Sequence, residues 1–306
     1  MTLVAGYKPP TFSKIWKNHK EKYFLILPFA LLFLVFGFVP VLVSLILSFT
    51  SFNMLEAPKF IGLENYINLI AFDSVFLIAI KNTLLLALIT GPVSYIMCFS
   101  FAWLINELPA RVRAVLTVIF YAPSISGNAF LMWGLFFSSD MYGLFNAWGM
   151  RFGFITEPIL WFSKPEYIMP ILIIVQLWMS IGISFLAFIA GLQNVDRTLY
   201  EAAAIDGIKN RWQELWYITL PQMKNMLMFG AVMQITGSLS ISAVSAELVG
   251  FPSVDYAGHT IILHMNDHGS TRMEVGYACA IGTLLFFMMM FSNIIVQKLL
   301  RRLNKD

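Results

Sequence analysis

The sequence predicts an all-α membrane protein, and its composition, its apolar runs and their lengths support this fold class. Hydrophobic residues make up 58% of the 306 residues and charged residues only 12%, whereas a soluble domain carries about 45–50% apolar and about 25% charged residues. The apolar residues form six continuous runs without the alternation expected of membrane-spanning strands. Each run reaches the roughly 20 residues that a helix needs to cross the hydrocarbon of a bilayer.

These runs predict a single six-span membrane domain, residues 23–297, between a cytoplasmic leader, 1–22, and a cytoplasmic tail, 298–306. The predicted spans cover residues 23–49, 74–105, 114–138, 167–192, 226–249 and 275–297. The second span holds Gly91-Pro92, which predicts a kink or a tilt there. A polar loop, 193–225, joins the fourth span to the fifth.

The distribution of basic residues predicts the orientation of the chain. Fifteen of its twenty Lys and Arg residues lie in the leader, in the 106–113 and 193–225 loops and in the tail. With six spans, all four segments are on one side, and cytoplasmic loops are enriched in Lys and Arg. We therefore expect both termini in the cytoplasm. The net charge of only +3, with no basic stretch interleaved with aromatic residues, predicts no nucleic-acid partner.

The 193–225 loop has the pattern of two short helices. Asp196 is the predicted N-cap of the first, which we expect over residues 199–205 with Glu201 in its first turn, and Gly207 is the predicted C-cap. A second, amphipathic helix would offer apolar side chains to the membrane side; these are Trp212, Leu215, Trp216 and Ile218. A compact helix with small and acidic residues has a shape that enters a groove on a partner protein.

This loop resembles the signature of the inner-membrane permeases of binding-protein-dependent ABC importers, the maltose-importer permeases among them. The signature is Glu-Ala-Ala, three residues, Gly, nine residues, Ile, one residue and Leu-Pro. The matching residues are Glu201, Ala202, Ala203, Gly207, Ile218, Leu220 and Pro221, together with the Asp206-Gly207 pair common in the sugar-importing branch. The spacing departs from the family at one point, because ten residues separate Gly207 from Ile218.

The resemblance implies a transport subunit of the bacterial plasma membrane that works by alternating access. The loop would be a coupling helix whose contacts with a cytoplasmic ATPase subunit are Glu201, Ala202, Ala203, Asp206 and Gly207. The implied partners are a second homologous permease, two ATPase subunits, an extracytoplasmic solute-binding protein, membrane lipid and a sugar or oligosaccharide substrate. The chain lacks a Gly-rich phosphate loop ending in Gly-Lys-Ser/Thr, so ATP and Mg²⁺ are expected on the partners and no cofactor on this chain.

Polar and aromatic side chains within the spans are candidates for the substrate pathway, because polar groups in hydrocarbon usually face a bundle interior or a cavity. Hydroxyl and amide groups beside flat aromatic faces suit a sugar. The candidates are Asn82, Tyr121, Asn128, Trp133, Gln176, Trp178, Gln234 and Ser238. Hydrogen bonding between helices is the alternative role for each of them.

Two further possibilities stay open at this point. His264 and His268 are four residues apart and near His259, a spacing that can hold a metal on a helix; in an outer loop we expect a docking surface or solvent exposure instead, and we predict no metal site. The rival functions are import of another solute, such as a polyamine or phosphate, and a membrane-embedded enzyme. An enzyme would need a convergent cluster of reactive side chains, and the spans contain no His.

Overall fold

A computed structural model describes residues 12–303 of the chain and the side chains of residues 20–300. Its α-helices are α1 Phe12–Phe33, α2 Val39–Leu47, α3 Glu64–Ile67, α4 Ser74–Asn106, α5 Ala110–Ile125, α6 Met132–Phe136, α7 Leu144–Arg151, α8 Pro165–Met179, α9 Ile183–Gln193, α10 Arg197–Ile205, α11 Arg211–Glu214, α12 Leu220–Gln222, α13 Lys224–Leu239, α14 Ala243–Val249, α15 Ile261–Asn266 and α16 Val275–Leu303. Four π-helical turns cover Leu34–Phe38, Asn68–Phe72, Leu215–Thr219 and Asp267–Thr271, and two 3-10 turns cover Ala129–Leu131 and Val254–Tyr256. Strands β1, Thr50–Ser51, and β2, Lys59–Phe60, pair antiparallel with Thr50 opposite Phe60.

The helices confirm the predicted all-α membrane class. Within the described residues, five helical segments are long and apolar enough to cross a bilayer, and these are Lys20–Leu47, Ser74–Asn106, Pro165–Gln193, Lys224–Val249 and Val275–Leu300. A bent pair, Ala110–Ile125 and Ala129–Phe136, makes a sixth span if it is counted as one. We number these six spans in chain order. Residues 1–11 and 304–306 of the predicted leader and tail lie outside the described part of the chain.

The third span departs from the uninterrupted run expected over 114–138. Its two halves meet at 86°. Pro123 lies in the last turns of α5, and Gly127 follows with φ of +62°, a backbone conformation that ends a helix and that glycine adopts without steric cost.

The second span, by contrast, stays one helix through Gly91-Pro92. A Cβ on Gly91 would lie 3.3 Å from Ser238 Oγ, so the missing side chain lets the second and fifth spans approach closely.

The fourth and fifth spans are each built from two helices. The fourth is interrupted between α8 and α9, at residues 180–182, and the fifth between α13 and α14, at residues 240–242. Non-helical backbone at membrane depth is tolerated where it is buried in protein or lines a cavity. These interruptions therefore mark the places within the bundle where a polar site can form.

The core lies among the second, fourth, fifth and sixth spans. Helices α4, α9 and α13 pack against one another, and α13 also packs against α16. Large buried side chains such as Phe185 and Phe188 fill one cluster, and Phe130, Ile168 and Leu172 fill another. No residue of the first span is buried within this chain, and its apolar surface is suited to lipid or to a second membrane protein.

Candidate functional site

The first helix of the 193–225 loop, α10, is capped by Asp196 as predicted. The Asp196 side chain accepts a hydrogen bond of 3.0 Å from the Thr198 amide, which lowers the pKa of this carboxyl and keeps it charged at the positive end of the helix. The helix begins at Arg197 rather than at residue 199. Glu201 is therefore in its second turn, and the expectation that it lies in the first turn, beside the helix dipole, is wrong.

The predicted C-cap is also confirmed. Gly207 has φ of +93°, the left-handed conformation that commonly ends a helix. The Ile208 amide donates to the Ala203 carbonyl at 3.0 Å, and the Asp206 amide donates to the Ala202 carbonyl at 3.0 Å. These bonds satisfy carbonyls at the end of α10 that would otherwise lack a partner. A helix of only nine residues is thus held at both ends.

The predicted contact residues do not share one environment. Glu201, Ala202, Asp206 and Gly207 are exposed, whereas Ala203 is 8% exposed and packs into its own chain. Ala203 can therefore seat the helix but offers little surface to another protein. Sequence reasoning missed Ile205, whose side chain is 87% exposed. Its sequence signal is that it is an apolar residue just before the C-cap of α10, in an otherwise polar stretch. Burying this side chain against a partner would be favourable.

The unusual spacing in the signature has a structural explanation. Asn210 caps α11 by accepting from the Gln213 amide at 2.8 Å, and the chain then enters the π-helical turn Leu215–Thr219. A π-helical turn closes its hydrogen bonds over five residues instead of four, so it accommodates one extra residue. Leu215 and Ile218 stay buried, whereas Trp212 and Trp216 are exposed. Only part of the expected apolar face therefore packs against the protein.

Side-chain contacts attach the loop to the membrane domain. Arg211 pairs with Glu107 at 2.9 Å, next to the end of the second span, and with Glu214 at 2.7 Å. The Tyr200 hydroxyl lies 2.9 Å from Thr219 Oγ1. The exposed ion pairs are each worth less than about 1 kcal/mol, and they attach α11 to the end of the second span. The Tyr200 contact joins α10 to the π-helical turn, beside a polar cleft of about 560 Å³.

A second, polar cavity of about 330 Å³ lies at the interruption of the fourth span. Four of the predicted pathway residues line it: Tyr121, Gln176, Gln234 and Ser238. Its other lining residues are Thr90, Ser94, Ser124, Met179, Ser180, Gly182, Ile183, Ser184, Met233 and Gly237. The predicted candidates omitted Ser124. Its sequence signal was a small hydroxyl residue next to a proline, where a helix is interrupted.

The amide of Gln234 is fully engaged within the protein. Its Oε1 accepts from Ser94 Oγ at 3.0 Å, and its Nε2 lies 3.2 Å from both the Ser180 carbonyl and Cys98 Sγ. The Ser180 carbonyl belongs to the interruption between α8 and α9, where a helical partner is missing. Gln234 therefore satisfies the broken fourth span and forms a fixed wall of the cavity, which is the interhelical role considered as the alternative.

The other four candidates do not line this cavity. Asn128 is exposed at the bend of the third span. Trp133 packs in an aromatic cluster, with its ring 5.8 Å from that of Trp178. Asn82 donates 3.0 Å hydrogen bonds to the Tyr256 and His259 carbonyls. It thereby holds the segment between the fifth and sixth spans against the second span.

The three histidines of the segment between the fifth and sixth spans are buried, which overturns their expected exposure. His259, His264 and His268 are only 1%, 2% and 6% exposed, so they are neither solvated nor free to form a docking surface. Burial lowers the pKa of His259 to about 4 and also lowers the pKa of His264. Both imidazoles are thus neutral at pH 7. The sequence showed three nearby histidines but not that the segment folds inward.

Comparisons with known proteins agree with this architecture. The chain is 31% identical over 289 residues to the probable ABC transporter permease protein YesP of Bacillus subtilis, covering 93% of this chain and 91% of that protein. It is 30% identical over 297 residues to the arabinooligosaccharides transport system permease protein AraP of the same organism, covering 96% and 92%. It is also 30% identical to the lactose transport system permease protein LacF of Rhizobium radiobacter, covering 71% and 72%.

The fold matches a solved structure and a family model. A chain from the crystal structure of a bacterial ABC transporter involved in the import of the acidic polysaccharide alginate superimposes with a TM-score of 0.77, covering 94% of this chain and 98% of that one at 24% identity. The family model for the binding-protein-dependent transport system inner membrane component matches residues 107–305. The protein is therefore a transport subunit and not an enzyme, and it belongs to the family of binding-protein-dependent transport system inner membrane components, the permeases of ABC importers.

Proposed function

We propose that this chain is the permease through which a sugar or oligosaccharide enters the cell. The cavity at the interrupted fourth span carries this proposal. None of the fourteen residues that line it, all in the described part of the chain, is acidic or basic. A polyamine needs carboxylates and a phosphate needs cationic donors or a cluster of amides, whereas hydroxyl, amide and aromatic groups suit a neutral polyol.

The relatives support the same substrate class. Their names specify lactose and arabinooligosaccharides, which are neutral sugars. Tyr121 offers an aromatic face with a hydroxyl, Gln176 an amide and Ser124 a hydroxyl around one space. We assign substrate contact to Tyr121 and Gln176. Ser124 can take part only as an acceptor, because its hydroxyl already donates to the Tyr121 carbonyl at 2.9 Å. Gln234 has a supporting role, because its hydrogen bonds are already made within the protein.

Uptake by the reconstituted importer tests the substrate class. Proteoliposomes that contain the permease and its partners would be assayed with labelled oligosaccharides, spermidine and phosphate, each with its candidate binding protein. We expect accumulation of an oligosaccharide alone. Uptake of spermidine or phosphate, without uptake of any sugar, would overturn the assignment.

We further propose that α10 is the coupling helix and docks on a cytoplasmic ATPase subunit. Glu201, Ala202, Asp206 and Gly207 would form the contact with Ile205, while Ala203 seats the helix on its own chain. The exposure of these side chains and the two caps of α10 support this assignment. A second homologous permease would complete the membrane pore, since the first span leaves its apolar surface uncovered within this chain.

Charge reversal tests the coupling role. In the reconstituted importer, Glu201→Lys places a positive charge in the proposed contact, and we expect loss of substrate-stimulated ATP hydrolysis or loss of the ATPase subunits on co-purification. Glu157→Lys, at an exposed glutamate in the loop before the fourth span, is the matched control. Wild-type rates with a full complement of ATPase subunits in Glu201→Lys would contradict the proposal.

The proposed orientation, with both termini cytoplasmic and one domain over residues 23–297, has its own test. Lys59→Cys and Lys164→Cys place thiols in loops that should face outward. An impermeant maleimide should label them in intact cells, with the wild-type chain as control because Cys98 and Cys279 lie within spans. Labelling only after the membrane is permeabilised would reverse the orientation.

A further inference from the structure

A cluster of titratable side chains lies outside both sites described above. It forms where the second and sixth spans begin and where the segment between the fifth and sixth spans folds inward. Asp73, His264 and His268 each offer a ligand atom, and these atoms lie within 4.8 Å of one another. His264 Nε2 is already 2.9 Å from Asp73 Oδ2. The two imidazoles are buried and the carboxylate is partly buried.

We propose that Asp73, His264 and His268 bind a divalent transition-metal ion of the Zn²⁺ type. The two imidazole nitrogens are borderline ligands that favour Zn²⁺, which also accepts a carboxylate oxygen, whereas Mg²⁺ and Ca²⁺ prefer oxygen ligands throughout. Bonds of about 2.0–2.1 Å in a tetrahedral site put ligand atoms about 3.3 Å apart. The ligand atoms are at most 4.8 Å apart, so no two of them have to approach by more than about 1.5 Å to reach this spacing. Side-chain rotation can supply such a shift.

The outer hydrogen bonds of the histidines are those of metal ligands. His268 Nδ1 lies 2.7 Å from Glu274 Oε2, which leaves Nε2 as its ligand nitrogen. His264 Nδ1 lies 3.1 Å from His259 Nε2, which leaves Nε2, the atom facing Asp73. Metal-binding histidines almost always hold their second nitrogen in this way, and a carboxylate partner makes the ligand more basic. His259 is thus a positioning residue for His264.

The backbone also favours this arrangement. The two carboxylate oxygens of Asp73 make different contacts. Oδ1 caps α4 by accepting from the Phe76 amide, and Oδ2 faces His264 and the Tyr277 hydroxyl. The π-helical turn Asp267–Thr271 follows α15 directly and carries His268, whose ring centroid lies 4.6 Å from that of His264. Such single π turns occur frequently at functional sites. Tyr277 and a water are candidates for the fourth position.

A bound ion would join two parts of the chain that are distant in sequence. Asp73 precedes the second span, His264 and His268 belong to the segment before the sixth span, and Glu274 lies immediately before the sixth span itself. The ion would fix the ends of these two spans to each other.

Binding of Co²⁺ to the purified importer tests the site. Co²⁺ replaces Zn²⁺ in such sites, and its visible absorption reports nitrogen and oxygen ligands in low coordination. The nucleotide-free complex in lipid nanodiscs should show one such site per chain, from which Zn²⁺ displaces the Co²⁺. Asp73→Asn keeps an acceptor for the Phe76 amide, and His268→Gln keeps a polar side chain; we expect each to abolish the absorption. Asp255→Asn, at an exposed aspartate of the same segment, is the matched control and should leave it intact.

A milder variant guards against misfolding. Glu274→Gln changes only the partner of His268, and loss of such a partner costs about 10- to 100-fold in metal affinity. Zn²⁺ should also raise the thermal midpoint of the wild-type complex and of Asp255→Asn, but not that of Asp73→Asn. The proposal is overturned if the wild-type complex binds no Co²⁺, or if Asp73→Asn and His268→Gln bind it as tightly as the wild type.

Discussion

Replacing Gly207 by alanine isolates the contribution of the C-cap of α10 to coupling. Gly207 has φ of +93°, and a Cβ built on it meets no atom within 4 Å. Steric overlap therefore adds nothing, and the only cost is that of holding a residue with a Cβ in a left-handed conformation. That cost is about 1–2 kcal/mol. It corresponds to a factor of about 5–30 in the ratio of capped to uncapped loop.

The expected result follows from this population shift. The ATPase subunit would bind only the capped loop, so its apparent affinity should fall by up to about 5- to 30-fold. The maximal rate should be kept, because a saturating concentration of the ATPase subunit restores the capped state. The assay measures substrate-stimulated ATP hydrolysis in proteoliposomes as a function of the concentration of added ATPase subunits.

Gly153→Ala supplies the matched control. Gly153 also has positive φ, +73°, with nothing within 4 Å of its Cβ, but it lies in the loop between the third and fourth spans. The two variants therefore carry a similar strain at different places. Superimposable titrations of Gly207→Ala and wild type would refute the reasoning, and so would an equal shift in Gly153→Ala, because the effect would then not be local to α10.

Three further predictions concern packing, the cavity and the energy source. A Cβ on Gly230 would overlap the Phe188 ring, so Gly230→Ala should destabilise the protein by about 1–3 kcal/mol, measured by thermal unfolding. Gly237→Ala is the control, because it lies on the same helix with open space around it. Equal unfolding midpoints for the two variants would contradict the packing. Tyr121→Phe removes a hydroxyl from the cavity and should raise the KM for import several-fold. Tyr142→Phe is the control, because Tyr142 is 84% exposed. An unchanged KM in Tyr121→Phe would exclude contact between the Tyr121 hydroxyl and the substrate. The purified chain should hydrolyse no ATP, since it lacks a phosphate loop, and an ATPase rate that persists without any other polypeptide would disprove this.

Local features of the sequence predicted the class of the protein and much of the 193–225 loop. Run length and composition depend on the solvent that surrounds a helix, so they indicated membrane spans before any packing was known. The caps of α10 were readable for a similar reason. Asp196 and Gly207 act through backbone groups a few residues away, and such short-range preferences do not require a tertiary structure.

Pairwise contacts across the chain were not readable from the sequence. Gln234 was a candidate substrate ligand until its partners, Ser94 and the Ser180 carbonyl, showed that it completes a broken helix. The extra residue before Ile218 disturbed the signature, but the π-helical turn accommodates it. In both cases the sequence contains the polar or additional residue, while only the fold determines which group satisfies it.

The sequence by itself determined apolar helical runs long enough to span a membrane and a capped helix in the 193–225 loop, because hydropathy and capping act over a few residues, and the resemblance of that loop to a family signature indicated a permease. The tertiary structure alone decided where the spans break, which four candidates meet in one cavity, and that His264 and His268 are buried beside Asp73. Asp73 and His264 are 191 residues apart in the chain, and a contact over that separation depends on how every intervening helix packs.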